Sequence, residues 1–435
     1  MVAATSEKSA PAMALQGPFI VVADSPAPDV VEALRTAGAF PVVETTWPDA
    51  AAAVASVEPE AVVLATPCSD LERTDAYARA LADRLQVPDR AFTPVVARVH
   101  EDGAAPLPQA LAISASVPAE RIAHRLKAAL RIRALHATVL RRAETLAARS
   151  EQLPELPAGD PLDEATVLIA GRGRSYPALS VALGERVGLI GALSVENAAR
   201  ALNARDIDGM VIADGFAPRI VEALLTVLGE DVRFRDLPVT VLGGHHAVIQ
   251  DFYAVLPNLD RIAEGPTRLI ERFLPFVRLH AFGERLRRML KSLDAKGMID
   301  PDSGLLSHEA FWRDLNRAVA DAEKRGVGLS IARFSFERGD RRVSLDAARL
   351  VARLMREVDF ACREADNSIF AVFTETDLRA AHIIARRIAS VLKHTMLAPD
   401  RKRNGIDTAV TLATLKPTDN VASLLARVVD GVAAG

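Results

Sequence analysis

The stretch Leu354-Met-Arg-Glu-Val-Asp-Phe-Ala-Cys-Arg-Glu-Ala-Asp-Asn-Ser-Ile-Phe-Ala-Val-Phe373 decides how the last third of the chain reads. Its left half ends an amphipathic, arginine-rich helix. Arg349, Arg353 and Arg356 stand at i, i+4 and i+7, so the spacing puts them on one helical face, with Asp359 at the helix end. Its right half reads as a hairpin. Asp366, Asn367 and Ser368 between apolar runs are turn chemistry, which places the turn at Glu364–Ser368 and a strand at Ile369–Phe373. Taken alone, an Arg and an Asp three residues apart are also an ordinary surface ion pair, worth less than ~1 kcal/mol.

Around this stretch the same domain, residues 300–435, continues in both directions. Asp300-Pro-Asp-Ser-Gly-Leu-Leu-Ser-His-Glu-Ala-Phe311 opens it, and Ser307 is a natural N-cap for a helix over Glu309–Arg325. Gly328-Leu-Ser-Ile-Ala-Arg-Phe-Ser-Phe336 reads as a central strand, followed by the short charged turn Glu337–Arg342. Ala380–Leu392 is helical and contains Arg386-Arg387. Asp407–Ala413 and Ser423–Val432 read as a last strand and helix.

This arrangement resembles the GGDEF domain, the family of diguanylate cyclases that make cyclic di-GMP. Arg356 and Asp359 match its Arg-x-x-Asp inhibitory site, Arg363 its later arginine, and Arg387 resembles the second arginine of the product-binding site. Asp300, Gly304, Leu305 and Phe311 match the opening motif; Asp302, Ser307 and His308 depart from it. The signature hairpin is replaced by Ala365-Asp-Asn-Ser-Ile-Phe370, one residue longer and without its glycines or its glutamate. Where the family's first strand carries the Asp-x-Asp that binds Mg²⁺, this chain has Arg333 and Ser335, and a cation there repels the metal. The guanine-recognising Asn and Asp are gone too. The resemblance therefore implies a lost catalytic set and a retained dinucleotide site at Arg356, Asp359, Arg387 and Arg353. Guanidinium groups suit guanine O6 and N7 and the phosphates, and a carboxylate suits guanine N1–H and the amino group.

Upstream, short buried strands alternate with helices in two successive segments, 17–135 and 165–283, which predicts doubly wound parallel sheets. In the first, Pro18–Asp24, Pro41–Glu44 and Ala61–Ala65 are strands, and Pro28–Gly38 and Pro48–Val57 helices. In the second, Ala165–Ala170, Gly209–Asp214 and Leu237–Leu242 are strands and Ser194–Ala204 a helix. Both resemble the flavodoxin-like receiver domain of bacterial response regulators, which needs an acidic pair and an Asp for Mg²⁺ and phosphoryl transfer, and a Lys for the phosphoryl charge. The first segment keeps only Asp24, beside Ala23; Ala65 and Val117 fill the acceptor and Lys positions. The second keeps Asp214 at the acceptor position, six residues after Asp208, but has Ala170 and Gly171 for the acidic pair, Gly243 for the Ser/Thr and Gly265 for the Lys. A lone carboxylate without a metal site is a poor phosphoryl acceptor, so both segments read as folds kept for packing and contacts.

Two long helical patterns join these parts. The first, from Ala119 to Glu151, leads through a helical extension and linker, 136–164; it either projects to pair with another helix or lies on its own domain. The second, Thr267–Leu293, forms a stalk, 284–299, into the third domain. Residues 1–16, rich in Ala, Ser and Pro, read as a disordered tail without a signal peptide's apolar core. His245-His246 lacks further ligands at metal spacing and reads as an exposed loop.

Composition fits this picture. The chain has 435 residues, half of them apolar, a net charge of −3 and two cysteines. That excludes a general nucleic-acid binder, implies a reducing cytoplasm, and leaves no run of about 18 apolar residues to span a membrane. The expectation is a catalytically inactive cyclic di-GMP effector that recruits a signalling protein, takes no cofactor and forms a homodimer. A ligand-independent scaffold or dimerisation protein is the alternative. An active cyclase would have to turn over GTP without the family's metal ligands.

Overall fold

The computed structural model describes residues 15–87, 90–100, 103–148, 159–243, 249–262, 265–336, 341–394 and 408–429, leaving aside the side chains of 341–342. Within them the chain builds three separate sheets.

The first sheet holds β1 (Phe19–Val22), β2 (Val42–Thr45), β3 (Ala61–Leu64), β4 (Val95–Val99) and β5 (Leu111–Ser114). All are parallel, in the order β2-β1-β3-β4-β5. β1 and β3 are buried at every residue, as strands covered on both faces must be, which is why they read as unbroken apolar runs. Helices Pro28–Thr36, Ala50–Val57, Thr74–Leu85 and Glu120–Ala147 belong to this half.

The second sheet repeats the plan with β6 (Thr166–Ala170), β7 (Gly188–Ala192), β8 (Gly209–Ile212), β9 (Val239–Leu242) and β10 (Leu259–Ile262), ordered β7-β6-β8-β9-β10. Its helices include Tyr176–Gly184, Val195–Ala204, Pro218–Glu230 and Pro266–Asp294. Ser194 caps the second of these by accepting from Asn197 N–H at 3.3 Å, and proline stands in the first turn of the third. Strand order 2-1-3-4-5 is the doubly wound arrangement, with its topological switch between the first and third strands.

The third sheet is antiparallel and four-stranded: β11 (Leu329–Phe336), β12 (Phe360–Arg363), β13 (Ile369–Thr374) and β14 (Thr408–Thr414), ordered β12-β13-β11-β14. One face carries Ala332, Phe334, Ala371 and Phe373, packed on helices Arg341–Leu354 and Leu378–His394 through Val351 and Ile388. The alternate residues face helix His308–Arg325: Phe360 meets Phe311 edge-on at 5.5 Å, and Phe370 lies 6.3 Å from Trp312. Ser307 caps that helix through Ala310 N–H, and Gly326, at φ 64°, ends it. Helix Val421–Val429 completes the domain.

The chain divides into two compact units. One combines Pro18–Ala137 with the residues from Glu155 to Met289, and so contains both parallel sheets. The other takes its described residues from the segments ending at Gly17 and beginning at Thr138 and Leu290. The end of helix Glu120–Ala147 therefore serves the third domain. Arg141 Nε and Arg142 Nε lie 3.2 and 3.5 Å from Oδ2 of the fully buried Asp314. Arg142 Nη1 is 3.8 Å from Asp294, whose carboxyl is pushed up by burial. Arg317 donates to Thr145 Oγ1 at 2.6 Å.

Two sequence readings differ from the structure, the tail here and Arg356 below. Of the tail, 1–14 lies outside the described residues, but Leu15 is buried and Gln16 Oε1 accepts from Gly328 N–H at 2.6 Å, so the stretch up to residue 16 is not all tail. Of the linker, 149–158 lies outside the described residues, and Pro161–Glu164 forms a 3₁₀ turn capped by Asp160.

His136 gives the two-sheet unit a pH dependence. Its Nδ1 accepts the Phe92 N–H at 3.2 Å, and its ring meets Phe282 edge-on at 5.1 Å. Burial, then the Arg133 charge, push its pKa down from 6.5 to about 4. Between those values the unfolded chain binds the extra proton, so stability falls as pH drops. Unfolding of the full chain should cost about 2 kcal/mol less at pH 5 than at pH 7.5 through this group, and His136→Phe should flatten the slope. Denaturant titration at the two pH values measures it.

Candidate functional site

The helix of the opening stretch stops at Leu354, so Arg356 does not continue the face of Arg349 and Arg353. It turns inward instead. Its Nε and Nη2 donate to Asp359 Oδ2 and Oδ1 at 2.8 and 2.7 Å, and Nη2 also reaches Thr374 O and Thr376 Oγ1, both at 2.9 Å. Asp359 N–H donates to Arg356 O at 3.1 Å, closing a turn. The pull of a carboxylate and a strand end outweighs one more helical turn. Asp359 also accepts the Thr374 N–H at 3.1 Å. Its side chain is 1% exposed, against 33% for Arg356.

This is a buried-ended pair, not a surface one. Burial pushes the Asp359 carboxyl up, against the Arg356 charge. Burial alone would lower the Arg356 pKa, but the Asp359 charge and hydrogen bonds raise it on balance. Thr374, Thr376 and the neighbouring Arg325–Glu375 pair at 2.6 Å complete the surroundings. Sequence reasoning missed them, because only the β12–β13–β11 register brings them there.

Arg353 and Arg387 are exposed, on the adjoining helices Arg341–Leu354 and Leu378–His394. Among the described residues neither has an ion pair or side-chain hydrogen bond. Arg349 is engaged, donating to Asp302 O at 2.8 Å and pairing with Asp346.

The hairpin end of the same sheet is held by a cation. Arg333, in mid-β11 opposite Phe370, puts Nη2 2.6 Å from Asp366 Oδ2 and Nε 3.3 Å from Ser368 Oγ. Arg363 Nη1 donates to Asn367 Oδ1 at 3.2 Å, and Ser344 Oγ to Asn367 O at 2.9 Å. Asn367 takes φ 68°, which asparagine tolerates better than most residues. The turn spans Glu364–Ser368, closed by Glu364 N–H to Ser368 O at 2.8 Å. Among the described residues no group of three or more His, Cys, Asp or Glu is placed to hold a metal ion. Residues 337–340 of the charged turn lie outside the described residues.

In the parallel sheets the surviving acids are tied into loops. Asp24 accepts from Ser69 N–H and Oγ at 2.7 Å and from Trp47 N–H at 3.1 Å. Burial works to raise its pKa, and these bonds lower it on balance. Asp214 accepts from Ser175 Oγ, and a Cβ at Gly173 would lie 2.0 Å from its Oδ2, so a larger residue there would displace the carboxylate. His245-His246 lies outside the described residues. No helix among them is long and apolar enough to cross a membrane.

No protein-family model matches the chain, and no curated protein matches it. Solved structures similar to parts of it include the coiled coil and GGDEF domain of DgcB from Caulobacter crescentus in complex with c-di-GMP, at 21% identity over 35% of this chain and 86% of that one, TM-score 0.30. Another is the diguanylate cyclase SiaD in complex with its activator SiaC from Pseudomonas aeruginosa, at 17% over 50% and 96%, TM-score 0.30. A third is the active GGEEF domain of a diguanylate cyclase from Vibrio cholerae, at 19% over 27% and 83%, TM-score 0.25. Scores this low decide nothing about the chemistry of the site.

Removing one partner of the buried pair has a signed consequence. Arg356→Ala leaves the Asp359 carboxylate buried with the Thr374 N–H, and should cost about 2–3 kcal/mol at pH 7, less than a wholly buried pair because Arg356 is partly solvated. An acid whose native pKa lies above its unfolded value stabilises fully only below the unfolded value and loses that as pH rises. The deficit against wild type should therefore shrink as pH falls toward 4, as urea unfolding of both proteins would measure.

Proposed function

We propose that the chain is a catalytically inert signalling protein that binds cyclic di-GMP on its third domain, a degenerate GGDEF domain. Its two receiver-like domains would take a protein partner. The observation that carries this reading is the pair of exposed guanidinium groups, Arg353 and Arg387, without a partner among the described residues, on adjoining helices of the domain that holds Arg356. Free guanidinium groups are strong phosphate ligands. A ligand would meet these two first, with the solvated third of Arg356. Asp359 would reach a guanine only after its bonds to Arg356 and Thr374 opened.

Inertness is supported by the Arg333–Asp366 contact. A guanidinium stands in mid-strand where a cyclase of this family needs a metal-binding carboxylate, and the hairpin aspartate nearest to it is spent in neutralising it. Likewise, the Asp214 carboxylate is engaged by Ser175 and closed in by Gly173, which fits a loop-closing role and not phosphoryl acceptance. The closed Arg356–Asp359 pair favours the second reading, a ligand-independent scaffold.

Calorimetric titration with cyclic di-GMP separates the two. Binding with Kd of about 1 μM or tighter, weakened at least about tenfold in Arg387→Ala and in Arg353→Ala, is expected; absence of heat with wild type would leave the scaffold. Incubation with GTP and Mg²⁺ should release no pyrophosphate from the wild type. Measurable turnover would overturn the inert assignment.

A further inference from the structure

The two parallel-sheet domains cover each other with the same parts of their fold. In each, the fifth strand lies at a sheet edge and is followed by a long helix: β5 by Glu120–Ala147, β10 by Pro266–Asp294. Arg125 of the first helix is completely buried. It donates to Ala112 O on its own β5, and across the seam to Leu259 O at 3.1 Å and Pro257 O at 3.4 Å, with Asp260 at 3.5 Å. Burial, then repulsion from Arg121, push its pKa down to about 9, so it stays charged at neutral pH. Arg121 donates to the same Leu259 carbonyl and lies 3.4 Å over the Tyr253 ring.

The second helix returns the contact. Pro275, Leu279 and Phe282 line, with Pro94, Val95 of β4 and Leu111 of β5, a shared apolar cavity of about 190 Å³. Phe282 stands edge-on to Phe92 at 5.7 Å and to His136 at 5.1 Å. Helix also meets helix: a Cβ added at Gly283 would lie 3.5 Å from the Ile132 side chain.

We infer that the fifth-strand faces of the two domains close on each other within one chain, as a reciprocal pair, and that this face receives no second copy of the protein. A like-on-like face usually joins two subunits. Here both halves sit on one chain, where tethering holds them at effective concentrations of about a millimolar. The seam also contains a buried cation bonded to carbonyls of both domains, which neither domain satisfies alone. The inference is independent of ligand binding by the third domain. It means that any homodimer is built on other surfaces, and that this face does not bring two third domains together.

Cross-linking tests it on the full-length chain with Cys68 and Cys362 replaced by alanine. Ile132→Cys with Gly283→Cys should oxidise to a bridge within a monomer, seen as a single-chain mass on a non-reducing gel with the two peptides joined. Arg131→Cys with Asp236→Cys replaces a half-exposed ion pair across the same seam, so it spares the core if the first variant does not fold. A short bis-maleimide should join its two thiols within one chain. Dimer-mass products from either variant overturn the inference, as does failure of both to bridge while their thiols react freely.

Discussion

A charge inside a protein is tolerable only where the fold supplies every partner it needs. Arg125 is the sternest case here, with no exposed surface and carbonyls of two different domains arranged around it. It fixes the helix Glu120–Ala147 against the second sheet. From that helix further arginines reach outward: Arg133 to the buried Glu60 at 2.7 Å, Arg141 and Arg142 to Asp314. The helix is thus less a connector than a rod of cations aimed at buried carboxylates and carbonyls. Its many arginines, which suggest a solvated face, are largely consumed in the interior.

The strands most legible in the sequence were those buried on both faces. Phe19–Val22, Ala61–Leu64 and Gly209–Ile212 are unbroken apolar runs and stand where expected. The edge strand Gly188–Ala192 escaped because it is half-exposed and carries two glycines, so it has neither a run nor an alternation. The fifth strand Leu259-Asp-Arg-Ile262 was hidden by its charged centre, which makes sense only once Arg125 and Arg272 are seen beside Asp260. Tertiary partners, not propensity, made those residues a strand.

The site was legible to the same degree. The hairpin turn and the pairing of Arg356 with Asp359 followed from local spacing. The direction of Arg356 did not, because it depends on Thr374 and Thr376, nearly twenty residues on. A helical wheel treated the arginine as one of a surface row. The strand end beside it converted the arginine into a clamp. Arg333 is the reverse case: its charge was plain in the sequence, and only the β11–β13 register reveals that Asp366 absorbs it.

Asp314 bears on how such a protein came to be assembled. Its carboxylate is fully buried, and the arginines beside it belong to a helix that begins in another domain, more than 170 residues earlier in the chain. A gene fragment starting at the last long helix would encode every strand of the third sheet, yet strand an acid in the interior without its counter-charges. The three parts are therefore not exchangeable beads. Any recombination that swapped the final domain for a relative's would have to carry a compatible pair of cations with it, so lineages of this architecture should evolve as whole chains.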